Sequence, residues 1–173
     1  MWQKCDKVPE NRYWGARFRI TLDGVIVNEN KCDALKIENQ ACFPLYACSR
    51  EVIKCFTPYL TQMDLTYTQY ITMMVLWEKQ SVTAKELGER LYLDSGTLTP
   101  LLKKLESKGM ITRKRSQEDE RNLIVTITEA GAALKETAVA LQDEMEQCIQ
   151  LPEEEKEMLY HLLNKALAGC GHK

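Results

Sequence analysis

The chain has 173 residues, of which 45% are apolar, and a formal charge of −2. That length fits one domain or one and a half, the apolar share is ordinary for a globular protein, and the overall sign excludes a globally basic nucleic-acid binder. The most apolar run, ITMMVLW at 71–77, falls far short of the about 18 residues a membrane span needs, and VIV at 25–27 is too short for a signal-peptide core.

A cytoplasmic protein is therefore expected, with no membrane partner. Its seven cysteines would sit in a reducing compartment, where a disulfide framework is not expected.

Residues 1–27 carry Trp2, Tyr13, Trp14 and Phe18 without a sustained period of two or 3.6. They read as an N-terminal extension, either a disordered arm or not native, with RFRITLDGVIV able to form a short strand or hairpin. Residues 28–65 read as a helical dimerisation and sensor segment. Leu45, Cys48, Val52, Cys55, Phe56 and Tyr59 recur at helical steps. Pro44 would cost about 3 kcal/mol in a helix interior. The helix is therefore expected to start near residues 40–43, which puts Cys42 in or just before its first turn. Pro58 predicts a second kink or break.

Residues 66–128 carry the most specific pattern. Thr66 and Gln69 form a capping box that opens YTQYITMMVLWEKQ, apolar all round and so read as a buried central helix. Thr83 and Glu86 form a second box, opening a short helix with Ala84, Leu87 and Leu91 inward. Tyr92-Leu93-Asp94 has the length of a helix-turn-helix turn. Asp94 or Ser95 caps the next helix, whose Leu98, Leu101, Leu102 and Leu105 share one face, and Gly109 suits its C-terminus. Pro100 is tolerable there only in the first turn.

The period then changes to two through Met110–Arg115. A polar tip, SQEDERN, and the strand-like LIVTIT follow. The fold class expected is mainly α with a small β-hairpin wing, a winged helix-turn-helix dimerising through its N- and C-terminal helices. A small α+β domain with a solvated charge run is the plainer alternative. In residues 129–173, Thr128 caps a long helix running to about residue 150. Pro152 stands at the first position of a last helix closed by Gly169, with a stripe of Leu159, Leu162, Leu163 and Leu167. Those stripes need cover, so a homodimer suited to a pseudo-palindromic site on double-stranded DNA is expected.

Charge supports the division. Residues 94–122 hold seven basic and five acidic side chains, with Arg113, Lys114, Arg115 and Arg121 around the hairpin, whereas residues 143–157 hold seven acidic and one basic. Phosphate contact needs a locally basic surface whatever the overall sign.

ENQACFPLYACSRE, TYTQYITMMVLWE, LYLDSGTLTPLLKKLESKGMITRKRSQEDERN and ITEAG closely resemble the organic-hydroperoxide-sensing repressors of the MarR family, the OhrR type, from about Asn28 to Gly169. The resemblance implies that Cys42 is the redox sensor and that Tyr46 and Tyr67 hydrogen-bond its thiol. Phe56 occupies a third tyrosine position of the family, and Pro44 replaces an ordinary apolar residue. Cys148 falls near a resolving thiol that pairs across the dimer in some members. With the capped helix and the DER tip, the resemblance places Ser95, Thr97, Thr99 and Lys103 in a major groove and Asp119 ordering Arg121 for a minor groove; Arg113 and Arg115, on a hairpin expected to reach along the backbone, are read as DNA-binding too.

A cysteine reacts with peroxide as its thiolate, which helix N-termini and hydrogen-bond donors favour, and both are expected around Cys42. By residue type alone, a small buried apolar cysteine is the commoner case. Cys48 and Cys55, about 10 Å apart along a helix, cannot bridge each other. No metal site is expected, since there is no C-x-x-C and the only histidines are His161 and His172. No cofactor is expected either. The preferred reading is a DNA-binding repressor that releases its operator when an organic hydroperoxide oxidises its cysteine. The alternative is a MarR-type regulator released by a small aromatic ligand. A thiol peroxidase lacks a supporting motif, so the protein is read as not an enzyme.

Overall fold

The computed structural model describes residues 18–20 and 26–28 at the backbone level, and 36–117, 119 and 121–170 in full. The chain forms two compact units, Met1–Glu51 and Val52–Lys173, with the division falling inside helix α1, Cys42–Gln62. In the first unit, β1 (Phe18–Ile20) and β2 (Ile26–Asn28) make the short antiparallel hairpin that the sequence allowed, Phe18 opposite Asn28. The rest of the expectation for residues 1–27 lies outside the described residues. A 3-10 turn at Ile37–Asn39 leads to α1, which begins at Cys42, so Pro44 stands in the first turn where its missing N–H matters least.

Within the second unit α1 runs on through Pro58 without the expected break. Thr57 and Thr61 donate their hydroxyls to the carbonyls of Ile53 and Thr57, at 3.0 and 2.8 Å, on either side of the proline. Helix α2 (Tyr67–Lys79) has the complete capping box: Thr66 accepts from the Gln69 N–H, and the Gln69 side chain accepts from the Thr66 N–H at 3.0 Å. It is the buried centre of the unit, with Met73 and Leu76 fully enclosed.

Strand β3 (Ser81–Thr83) then precedes α3 (Ala84–Leu91), α4 (Ser95–Ser107), β4 (Ile111–Arg115) and β5 (Leu123–Ile127). The hairpin was expected; β3 was not. It pairs with β5 and makes a three-stranded antiparallel sheet of order β3-β5-β4, with Val82 opposite Val125 and Arg113 opposite Val125 on the other side. At α3 only half of the expected capping box forms among the described contacts: Thr83 accepts from the Glu86 N–H at 3.0 Å. Tyr92 ends α3 in the left-handed region, φ 55°.

Helix α4 buries the whole predicted leucine face, Leu98, Leu101, Leu102 and Leu105, against Leu87, Ile111 and Val125. Each fully buried leucine contributes about 1.5–3 kcal/mol of transfer free energy. Pro100 is the sixth residue of α4, beyond the first turn where it was expected. The N–H it lacks would have met the Gly96 carbonyl, and both residues are exposed, so water can solvate that oxygen.

The helix expected to run from 129 to 150 is two: α5 (Glu129–Ala140) and α6 (Gln142–Glu146). The turn at Leu141 carries Met145 into the core, where it is 3% exposed. Pro152 proves to be the N-cap of α7 (Glu153–Gly169) rather than its first residue, and α7 has no buried residue.

Candidate nucleic-acid interface and thiol site

Burial of the leucine face leaves the opposite face of α4 in solvent. Ser95, Thr97, Thr99 and Lys103 are all exposed, with Ser95, Thr99 and Lys103 one turn apart in succession. The N-terminus of that face is fixed by Asp94, whose carboxylate accepts the Thr97 backbone N–H at 2.8 Å and the Thr97 hydroxyl at 3.1 Å. The N–H bond from Thr97, then its hydroxyl, hold the Asp94 carboxyl below its ordinary range. The Thr99 hydroxyl donates to the Ser95 carbonyl at 2.7 Å, which leaves its lone pairs outward.

The wing divides its cations between two jobs. Arg113, expected on the DNA backbone, is turned inward: its guanidinium is bound to Glu106 of α4, and its side chain is 18% exposed. The Arg113 hydrogen bonds hold the Glu106 carboxyl below its ordinary range. Lys114 and Arg115 are exposed. At the tip Asp119 accepts from the Arg121 N–H at 3.1 Å and from its guanidinium at 3.0 and 3.2 Å. It also accepts from the Asn122 amide at 3.3 Å, and the bonds from Arg121 lower the Asp119 pKa. The Arg121 side chain is nonetheless 90% exposed. The tip is thus a preformed turn presenting one cation.

In the first unit, Cys42 is the first residue of α1, a free and exposed thiol. One turn on, the Tyr46 hydroxyl accepts a hydrogen bond from Arg50 at 2.8 Å, and the guanidinium lies over the Tyr46 ring at 5.6 Å from its centroid. In the second unit, Tyr67 is half-buried and stacks on Phe56, with centroids 5.7 Å apart and planes 16° from parallel. Phe56 therefore keeps an aromatic surface while contributing no hydroxyl.

Cys148, which the resemblance would pair across a dimer, is disulfide-bonded here to Cys55 of the same chain, Cα to Cα 5.7 Å. Sequence reading gave Cys55 no role, because it weighed partners along one helix and the true one lies 93 residues away. Glu106 was missed for a similar reason: its position marks a helix surface, and only the hairpin's return brings Arg113 to it. His161 is an exposed helix-face residue near Glu157, and among the described residues no cluster of His, Cys, Asp or Glu is placed to hold a metal ion.

Two capped helices joined by a three-residue turn, the second followed by an antiparallel hairpin to which a third short strand pairs, define a winged helix-turn-helix transcriptional regulator. Residues 54–138 match the family described as Transcriptional regulator SarA/Rot. The chain is 57% identical over 111 residues to the organic hydroperoxide resistance transcriptional regulator of Bacillus subtilis, a match that covers 64% of this chain and 76% of that one. It is 46% identical over 133 residues to the regulator SarZ of Staphylococcus haemolyticus, across 77% of this chain and 90% of that one.

Among solved structures, reduced AbfR bound to DNA superposes with a TM-score of 0.67 at 35% identity, over 82% of this chain and 99% of the other. A mutant Escherichia coli MarR with operator DNA gives 0.66 at 28%, over 72% and 91%. The chain belongs to the MarR family of DNA-binding transcriptional regulators, in its organic hydroperoxide resistance branch. No helix among the described residues is long and apolar enough to cross a membrane.

Proposed function

We propose that the protein is a homodimeric cytoplasmic repressor that holds a pseudo-palindromic operator and lets it go when an organic hydroperoxide oxidises Cys42. The observation that carries the sensing role is the placement of Cys42: a free, exposed thiol at the first position of α1, with Tyr46 one turn along. The thiolate attacks the terminal peroxide oxygen. The O–O bond breaks, the alcohol leaves with a proton, and a sulfenic acid remains on sulfur. Exposed apolar side chains beside it, Phe43 and Leu45, favour an organic peroxide over hydrogen peroxide.

For DNA, α4 offers Ser95, Thr97, Thr99 and Lys103 to the major groove. Arg115 sits on the phosphates, and the Asp119-ordered Arg121 enters a minor groove. Arg113 supports the wing through Glu106 and contacts phosphate at most secondarily. Exposed Met158, Tyr160, Leu162, Leu163 and Leu167 on α7 support a second copy as its cover. Release follows from linkage: oxidation lowers operator affinity only if the oxidised thiol is less well accommodated in the DNA-bound state.

The test is operator binding by the purified protein with and without cumene hydroperoxide, for wild type and Cys42→Ser. Wild type is released and Cys42→Ser binds and stays bound. Release of the serine variant by oxidant places the sensor elsewhere. Release by a small aromatic compound without oxidation favours the ligand-sensing alternative.

A further inference from the structure

We propose that Cys55 and Cys148 form a second oxidisable site, separate from Cys42, whose disulfide anchors the C-terminal helix to the winged-helix unit. Their Cα atoms, 5.7 Å apart, lie within the about 4.4–6.8 Å that a disulfide spans without moving the backbone. Cys55 is exposed and Cys148 half-buried, so an oxidant reaches Cys55 first. Neither belongs to the buried core of Met73, Leu76, Leu87, Leu102, Leu105, Ile111 and Val125. The buried core of the unit is thus built from side chains other than these two cysteines. In a reducing compartment such a bond is set by the redox state and made or broken in response to it.

The position of the pair says what the bond controls. Cys55 sits on α1, ahead of the winged-helix elements, and Cys148 follows α6, so the disulfide closes a ring around α2 to α6. Helix α7 begins five residues after Cys148 and buries no residue of its own. Its first turn, at Glu153 and Lys156, meets the unit beside the stretch around Met145 and Cys148. Phe56 and Ile149, adjacent in sequence to the two cysteines, line a cavity of about 400 Å³ of mixed character, with Tyr67, Met74 and Met145 and with Glu153 and Lys156 of α7. Closing the disulfide fixes the two walls of that cavity and the root of α7 together; reducing it leaves the root held by side-chain packing alone.

The chemistry balances with one hydroperoxide. The Cys55 thiolate takes the terminal oxygen and releases one alcohol. The Cys148 thiolate then attacks the sulfenic sulfur, and water leaves as the S–S bond forms; two thiols are oxidised and one peroxide is reduced. The choice of oxidant rests on the proposed function, but the site does not, because its formation is read on the protein and not on DNA.

Wild type and Cys42→Ser are each prepared as equal mixtures of ordinary and 15N-labelled subunits, exchanged under reductant, freed of it and treated with cumene hydroperoxide. Mass spectrometry of tryptic peptides is expected to show Cys55 joined to Cys148 in light–light and heavy–heavy pairs only, in both proteins. Mixed-label pairs would place the bond between copies and overturn the proposal. So would both thiols remaining open to alkylation in protein that circular dichroism shows to be folded.

Hydrogen exchange then reads the anchoring: amides of residues 153–169 are expected to exchange several-fold more slowly in the disulfide form than in the reduced form or in Cys55→Ala. Cys148→Ala gives the same reading if Cys55→Ala does not fold. Equal exchange in the two redox states overturns the anchoring role.

Discussion

Glu106 on α4 receives three hydrogen bonds from Arg113 on β4: the backbone N–H at 3.0 Å, Nε at 3.0 Å and Nη2 at 2.6 Å. One carboxylate thus fixes both the path of the strand and the direction of its arginine. The expected consequence is that this pair sets the angle between α4 and the wing. If so, Glu106→Gln and Arg113→Ala each weaken operator binding several-fold, and the double variant is no weaker than the worse single one. Fluorescence anisotropy with labelled operator measures all three; effects that simply add would mean that the pair does not couple helix to wing.

Acid should loosen the same surface. Asp94, Glu106 and Asp119 all have folded-state pKa values lowered by hydrogen bonds from Thr97, Arg113 and Arg121 respectively. A lowered carboxylate stabilises the fold fully above its unfolded value and loses that contribution as pH falls through its folded value. Ordinary values are 4.5 for Glu106 and 3.8 for the two aspartates. The thermal midpoint is therefore expected to be level near neutrality with respect to these groups and to decline from about 4.5 downward. Glu106→Gln should flatten the upper part of that decline, and circular dichroism melts across the acid range check it.

Arg121 carries its charge outward, at 90% side-chain exposure, on a turn held by Asp119. Arg121→Ala should reduce operator affinity in a protein that circular dichroism shows to be folded, and lower the magnitude of the slope of log affinity against log salt by about 1. A salt titration with an unchanged slope removes Arg121 from the phosphate-facing surface.

Gly131, in the first turn of α5, has no room for a side chain. A Cβ there would stand 2.1 Å from the Met110 carbonyl oxygen, while the Gly131 carbonyl accepts the Trp77 indole N–H at 2.8 Å. Both neighbours are fixed, so Gly131→Ala must displace backbone and should destabilise by about 3 kcal/mol or more. Gly169 has open space around it, and alanine there should be tolerated. Chemical denaturation of the two variants gives the contrast; equal stability would refute the packing at α5.

On α7, Leu162 is 58% exposed and Tyr160 66%. Sedimentation at micromolar concentration should show a dimer, and Leu162→Lys should shift it toward monomer by placing a charge in the covered face. A wild-type monomer would end the dimer reading.

What could be read from the sequence was local. The leucines of α4 and the caps at Thr66, Asp94 and Thr128 are spacing and side-chain chemistry within a few residues, and each is found where the pattern puts it. What could not be read depends on distant partners. Ser81–Thr83 is too short to declare itself a strand, and it becomes one because β5 returns beside it. The turn at Leu141 has no glycine or proline to mark it and follows from burying Met145. Cys55 has nothing in its own helix to suggest Cys148. Arg113 looked like any other cation of a basic hairpin until Glu106 was found facing it.

The register of β3 has a consequence for how the chain is made. Ser81 pairs with Thr126, and Thr83 with Ile124. During synthesis α2, α3 and α4 can each form from neighbouring residues as they leave the ribosome, but β3 stays an open edge until β5 has emerged some 40 residues later. Until then the hydrogen-bonding groups of Val82 have no strand beside them. A nascent chain stalled before residue 123 would carry α4 but neither the wing nor the strand that completes the sheet. The sheet and its wing are therefore completed in one late step.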